Sequence, residues 1–181
     1  MEKKSSSSPY TRKNPRALTD MILILDNIRS DFNVGSLFRT SDAMGCEKIY
    51  LCGITPTPLD RFDRENKKLT KVSLGAEKSV AWQSVQSTAR LITILKKKGF
   101  TILALEQDAA SVSLHSFSLS AKALSATALI VGTEVTGLSS DIRRHADTIL
   151  EITMHGKKES LNVSVACGIA MFHLIHTATY A

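Results

Sequence analysis

Five continuous apolar runs of six or seven residues recur along the chain: MILILD (21–26), KIYLCGI (48–54), FTILALE (100–106), ATALIVG (126–132) and DTILEIT (147–153). Runs this short and unalternated are what strands buried on both faces require. Between them, apolar residues fall at helical spacing over 34–44, 85–98 (closed by Gly99), 138–145 and 161 to about 175. Strands alternating with helices predict an α/β fold, a parallel sheet flanked by helices on both faces. Ligands of such sheets bind beyond the carboxyl ends of the strands, so the loops that follow strands are where chemistry is expected. Thr55 to Lys71 reads as a long polar connection, a kind of loop that is often functional.

A chain of 181 residues with 43% hydrophobic content is expected to bury one core, hence one domain. No run approaches the roughly 20 apolar residues of a membrane span, and no apolar segment follows the basic start to make a secretory signal. Cys46, Cys52 and Cys167 are odd in number and lack CxxC spacing, which argues against a disulfide framework or zinc knuckle and favours the reducing cytoplasm. His173 and His176 lie three apart, but neither HExxH nor a cysteine cluster accompanies them, so no metal is expected. Most of the net charge of +6 sits at the start, where Lys3, Lys4, Arg12, Lys13 and Arg16 face only Glu2. Residues 1–17 read as a basic, flexible tail, either merely solvated or an arm that tracks phosphates, and residues 18–181 as the domain.

Three post-strand loops stand out. In DNIRSDFNVGSLFRTSDAMG, Asn33 lies at a helix start and Arg39 within the helix. Capping and snorkelling account for them in isolation, although an arginine there can also offer a planar fork to a phosphate or ribose. In ALIVGTEVTGLSSDIRRHAD, Gly132 and Gly137 bracket Glu134 in a turn that matches neither GxGxxG nor GxxxxGK[ST], which leaves dinucleotide and Walker-type cradles unsupported. In EITMHGKKESLNVSVACGIA, Ser160 and Asn162 open an otherwise apolar last helix, where short polar side chains read first as caps.

Together the three loops resemble the motifs of the SpoU (TrmH-like) RNA ribose 2′-O-methyltransferases, a branch of the SPOUT superfamily. The first, NxGxxxRTxxxxG, is found at Asn33 through Gly45, the second, GxExxGL, at Gly132 through Leu138, and the third, IxMxGxxxSLNVSxA, at Ile152 through Ala166. The resemblance runs from Leu18 to the C-terminus. It implies a deep C-terminal trefoil knot, which no count of strands predicts and which general chain rules disfavour. It implies S-adenosylmethionine as cofactor, lined by Leu105, Gly132, Ile152, Met154 and Leu161. The polar catalytic set it implies is Asn33, Arg39, Glu134, Ser160 and Asn162, so Ser160 and Asn162 face the site and can cap as well. Two positions depart from the pattern, Thr133 where many relatives have Asn and Thr153 where many have Pro, and both bear on the shape of the cofactor loops.

The implied reaction moves a methyl group to a ribose hydroxyl. Arg39 has two readings in it, a base relieved of its proton by an RNA phosphate, or a charged group gripping that phosphate and the developing oxyanion. RNA is the implied partner, tRNA first and rRNA second, by analogy with compact relatives. The length leaves no room for the separate N-terminal RNA-binding domain of larger relatives. Recognition is therefore expected from the tail, the Arg61–Lys71 connection and a second subunit of a homodimer built on the last helix. A nucleotide-dependent oxidoreductase would want a glycine-rich first turn, which is missing. A non-catalytic RNA-binding module on the same fold, or a base methyltransferase, is the remaining rival, and the full polar set and SLNVS motif favour an enzyme acting on ribose.

Overall fold

The computed structural model describes residues 21–133 and 135–180. The basic tail 1–17, the domain start at Leu18 and Glu134 lie outside the described residues. Each of the five apolar runs forms a strand: β1 (Ile22–Asp26), β2 (Lys48–Cys52), β4 (Thr101–Leu105), β6 (Thr127–Val131) and β7 (Thr148–Glu151). Two strands went unread in the sequence, β3 (Ala81–Val85) and the two-residue β5 (Val112–Ser113). All the pairings are parallel, in the order β3-β2-β1-β6-β4-β7-β5. β3 and β5 are the edges, and on β3 Ala81, Gln83 and Ser84 are exposed, so no apolar run marks it.

The period-2 alternation of side chains divides the central strands between two cores. Leu23 and Leu25 of β1, with Leu129 and Val131 of β6, pack under α1 (Asp31–Met44) and α7 (Val163–Tyr180). Ile22, Ile24, Ala128 and Ile130 pack under α4 (Thr88–Lys97) and α6 (Ser140–His145). The helices differ from the sequence reading at their ends. Val85 closes β3 instead of opening a helix, and α4 starts behind Ser87, whose Oγ accepts the Arg90 N–H at 3.3 Å. The Thr55–Lys71 connection is partly helical, because α2 (Lys67–Ser73) begins at the Asn66 cap, and a short α3 (Ala76–Ser79) follows. Gly35 lets α1 meet α2 closely, since a Cβ there would lie 2.6 Å from the Leu69 carbonyl oxygen.

All three cysteines are free and buried. Burial pushes the thiols of Cys46 and Cys52 up to about 11 and raises that of Cys167 as well. At pH 8 a thiol reagent is therefore expected to label the native protein slowly and all three sites at once after denaturation; fast native labelling would contradict this burial. The unfolded thiols ionise from about pH 9 while the folded Cys46 and Cys52 wait until about 11, so folding stability falls as pH rises through that interval. No described helix is long and apolar enough to cross a membrane.

Candidate functional site

β4, β6 and β7 are neighbours in the sheet, so the loops that leave their carboxyl ends start side by side. They enclose a cavity of about 350 Å³, within the range that holds small molecules. All five residues expected to line a cofactor, Leu105, Gly132, Ile152, Met154 and Leu161, are on its walls, and so is Ser160. Leu105 ends β4, Gly132 follows β6, and the others lie between β7 and α7. Glu106, Glu151 and Glu159 also line it, and no Lys or Arg does among the described residues. Aliphatic side chains interspersed with polar groups and three carboxylates suit a ligand that carries an apolar part and a positive charge.

The tripeptide Glu106-Gln107-Asp108 that ties these loops together was missed in the sequence. Glu106 Oε2 accepts the Leu138 N–H at 2.6 Å, which joins the β4 loop to the β6 loop. Gln107 Nε2 donates to the Glu159 carbonyl at 2.6 Å, which joins it to the β7 loop. Asp108 pairs with Arg143 at 2.8 Å, and Arg143 Nη1 donates to the Leu138 carbonyl at 2.6 Å, so both backbone groups of Leu138 are held. Gly137 has a φ of +63°, and a side chain there would collide with the Glu106 carboxylate. The available signal was three consecutive polar residues directly after an apolar strand, where carboxylates and amides find backbone donors and acceptors at the strand end.

The polar set divides. Asn162 immediately precedes α7, and its Oδ1 accepts the Ser164 N–H at 2.9 Å, so it caps the helix. Its Nδ2 donates to Asn33 Oδ1 at 3.1 Å, which brings the first and third motifs into contact across 129 positions of chain. One side chain thus caps α7 and reaches α1, while neither Asn162 nor Asn33 is among the residues that line the cavity. Asn33 itself does not cap α1. Ser30 does, taking the Asn33 N–H on its Oγ at 3.3 Å, while Asn33 Oδ1 accepts from Asn162. Arg39 is not brought into the cavity wall. It is exposed, six residues further along α1, about 9 Å at the usual helical rise.

The first departure from the motif pattern has a local role, since Thr133 Oγ1 accepts the Thr136 N–H at 3.0 Å and closes the second-motif turn. The second, Thr153, has its hydroxyl 3.4 Å from that of Ser113 beside β5. His155 is exposed. His173 Nε2 donates to the Phe117 carbonyl at 2.8 Å and His176 stacks on Phe172, which turns the two rings to separate partners. Among the described residues no group of three or more His, Cys, Asp or Glu could hold a metal ion.

A wholly parallel α/β sheet with a cavity between three strand-end loops, and an asparagine pair linking the first helix to the last, is an α/β domain of the SPOUT type. The chain belongs to the SpoU rRNA methylase family, whose model matches residues 20–172. It is 32% identical over 159 residues to the 23S rRNA (guanosine-2′-O-)-methyltransferase RlmB of Xylella fastidiosa strain 9a5c, a match covering 88% of this chain and 59% of that one. The chain thus spans about three fifths of the length of the curated relatives it matches. The crystal structure of the A. aeolicus TrmH/SpoU tRNA modifying enzyme is similar with a TM-score of 0.74 and 28% identity, over 90% of this chain and 77% of that one. The AdoMet-bound rRNA methyltransferase of Sinorhizobium meliloti shares the fold, with a TM-score of 0.76 at 24% identity, over 89% of this chain and 57% of that one.

Proposed function

We propose that this protein transfers a methyl group from S-adenosylmethionine to a ribose 2′-hydroxyl of RNA. The observation that carries the reading is the Asn33–Asn162 contact beside a cavity lined by every residue expected to hold the cofactor. S-adenosylmethionine, when bound, supplies a methyl group already activated on a sulfonium. Leu105, Ile152, Met154 and Leu161 would seat its apolar part, and Glu106, Glu151 and Glu159 would favour its positive charge. Ser160 and the asparagine pair orient the ribose, and alignment of this kind accounts for several kcal/mol of barrier. Arg39 serves as a charged clamp on the RNA phosphate and the developing oxyanion, because a guanidinium gives up its proton only with difficulty. Glu134 completes the set by its place in the second motif.

The reading includes the family's trefoil knot, supported by the insertion of β6 and β7 on either side of the earlier strand β4. It also includes a homodimer, supported by the exposed Val165, Ile169 and Phe172, which follow one another down one side of α7. Ribosomal RNA is the better supported substrate, since the curated relatives are named for it; those names do not support the expectation of tRNA, made by analogy with compact relatives, for which the 28% identity to a tRNA modifying enzyme speaks. The reading includes a cytoplasmic location, supported by the bacterial rRNA methyltransferases that the chain resembles. The test is to incubate the protein with isotope-labelled S-adenosylmethionine and unmodified rRNA or tRNA, digest each, and identify labelled nucleosides by mass spectrometry. A 2′-O-methylated nucleoside in one RNA supports the reading and selects the substrate; cofactor binding without label in any RNA overturns it in favour of a binding module.

A further inference from the structure

A second feature, away from the cavity, has the chemistry of an RNA contact. Residues 59–65 form a tight turn, closed by the antiparallel bridge between Leu59 and Glu65 and by Asp60 N–H donating to the Arg64 carbonyl at 2.9 Å. Asp60 holds the turn from inside. Its Oδ1 accepts the N–H groups of Phe62 at 2.8 Å and Arg64 at 3.0 Å, and its Oδ2 pairs with the Arg64 guanidinium at 2.7 Å. With the backbone so fixed, Phe62 is held outward and is 61% exposed, an apolar ring given to water. Both neighbouring guanidiniums lie over it, Arg61 at 4.7 Å from the ring centroid and Arg64 at 5.0 Å. Lys67, Lys68 and Lys71 of α2 follow, all exposed, and Asp63 and Glu65 are the carboxylates that oppose them.

The turn is anchored beside the candidate site. Asn66 N–H donates to the Pro58 carbonyl at 2.8 Å at the base of the turn, and Asn66 Nδ2 donates to Asp31 in the first turn of α1, two residues before Asn33. We propose that Phe62 with Arg61 and Arg64 is a stacking platform for an unpaired base of the RNA, next to the nucleotide that meets Asn33. An exposed ring and planar guanidiniums side by side, followed by lysines, match the way proteins hold splayed-out nucleotides, whereas an apolar protein partner would gain nothing from cations on the ring. The proposal rests on the reading of RNA as substrate.

The test measures binding of the full chain to a mixed-sequence single-stranded RNA and to a duplex of equal length, across salt concentrations, for the wild type, Phe62→Ala, Phe62→Trp and Arg61→Ala. Phe62→Ala is expected to weaken single-strand binding about tenfold, to leave duplex binding unchanged and to be rescued by Phe62→Trp. Arg61→Ala is expected to weaken binding and reduce the salt slope by about one. Phe62 is largely exposed, so unchanged thermal unfolding of Phe62→Ala is the folding control. Equal single-strand affinities for wild type and Phe62→Ala, or an equal loss on the duplex, would overturn the platform alone and leave the ring to a protein partner. Failure of the wild type to bind either RNA would overturn the RNA reading with it.

Discussion

Arg39→Ala is expected to lower methyl transfer by about 10²–10³-fold, the usual cost of removing one group that stabilises developing charge. Affinity for S-adenosylmethionine is expected to stay within about twofold, because Arg39 lies outside the cavity wall that the cofactor would occupy. The side chain is exposed on α1 and makes no ion pair among the described residues, so its charge is available to a phosphate arriving from solvent. Single-turnover rates with labelled donor and calorimetric titration of the donor separate the two quantities. Arg39→Lys keeps the charge and loses the fork, and an intermediate rate supports the clamp. Full turnover in Arg39→Ala would remove this residue from the mechanism.

Gly132→Ala is expected to cost the cofactor about fivefold or more in affinity and to lower Tm by several degrees. A Cβ at Gly132 would lie 2.6 Å from both the Gly137 carbonyl carbon and the Leu138 nitrogen, which are backbone atoms that cannot rotate aside. Leu138 is held by Glu106 on its N–H and by Arg143 on its carbonyl, so the second-motif turn has nowhere to move without breaking those bonds. Overpacking of this kind costs about 1–3 kcal/mol, and each 1.4 kcal/mol is tenfold in affinity. Thermal unfolding and donor titration of the variant measure both effects. Unchanged donor affinity would mean that this turn does not shape the binding site.

The five strands were legible because each lies in a continuous apolar run; β1 and β6 are buried at every position, while β7 is fully buried only at Leu150. β3 was not, because an edge strand can leave Gln83 and Ser84 in water and so reads as loop. The lining residues were legible only through the motif resemblance; Leu105 and Ile152 look like any other strand-end aliphatic. Glu106, Gln107 and Asp108 carried no such label, since their partners Leu138, Glu159 and Arg143 lie 32 or more positions away and only the fold brings them near.

The role of Asn162 divides the same way. Its rank as a cap follows from a short polar residue ahead of an apolar helix, a local rule that acts within one turn. Its bond to Asn33 joins positions 129 apart, and no local rule reaches that distance. Apolar pattern and cap chemistry, written in neighbouring residues, thus marked five of the strands and the helices α1, α4, α6 and α7. The order β3-β2-β1-β6-β4-β7-β5, which sets three loops side by side and closes a cavity between them, was decided only by the packing of distant segments against one another.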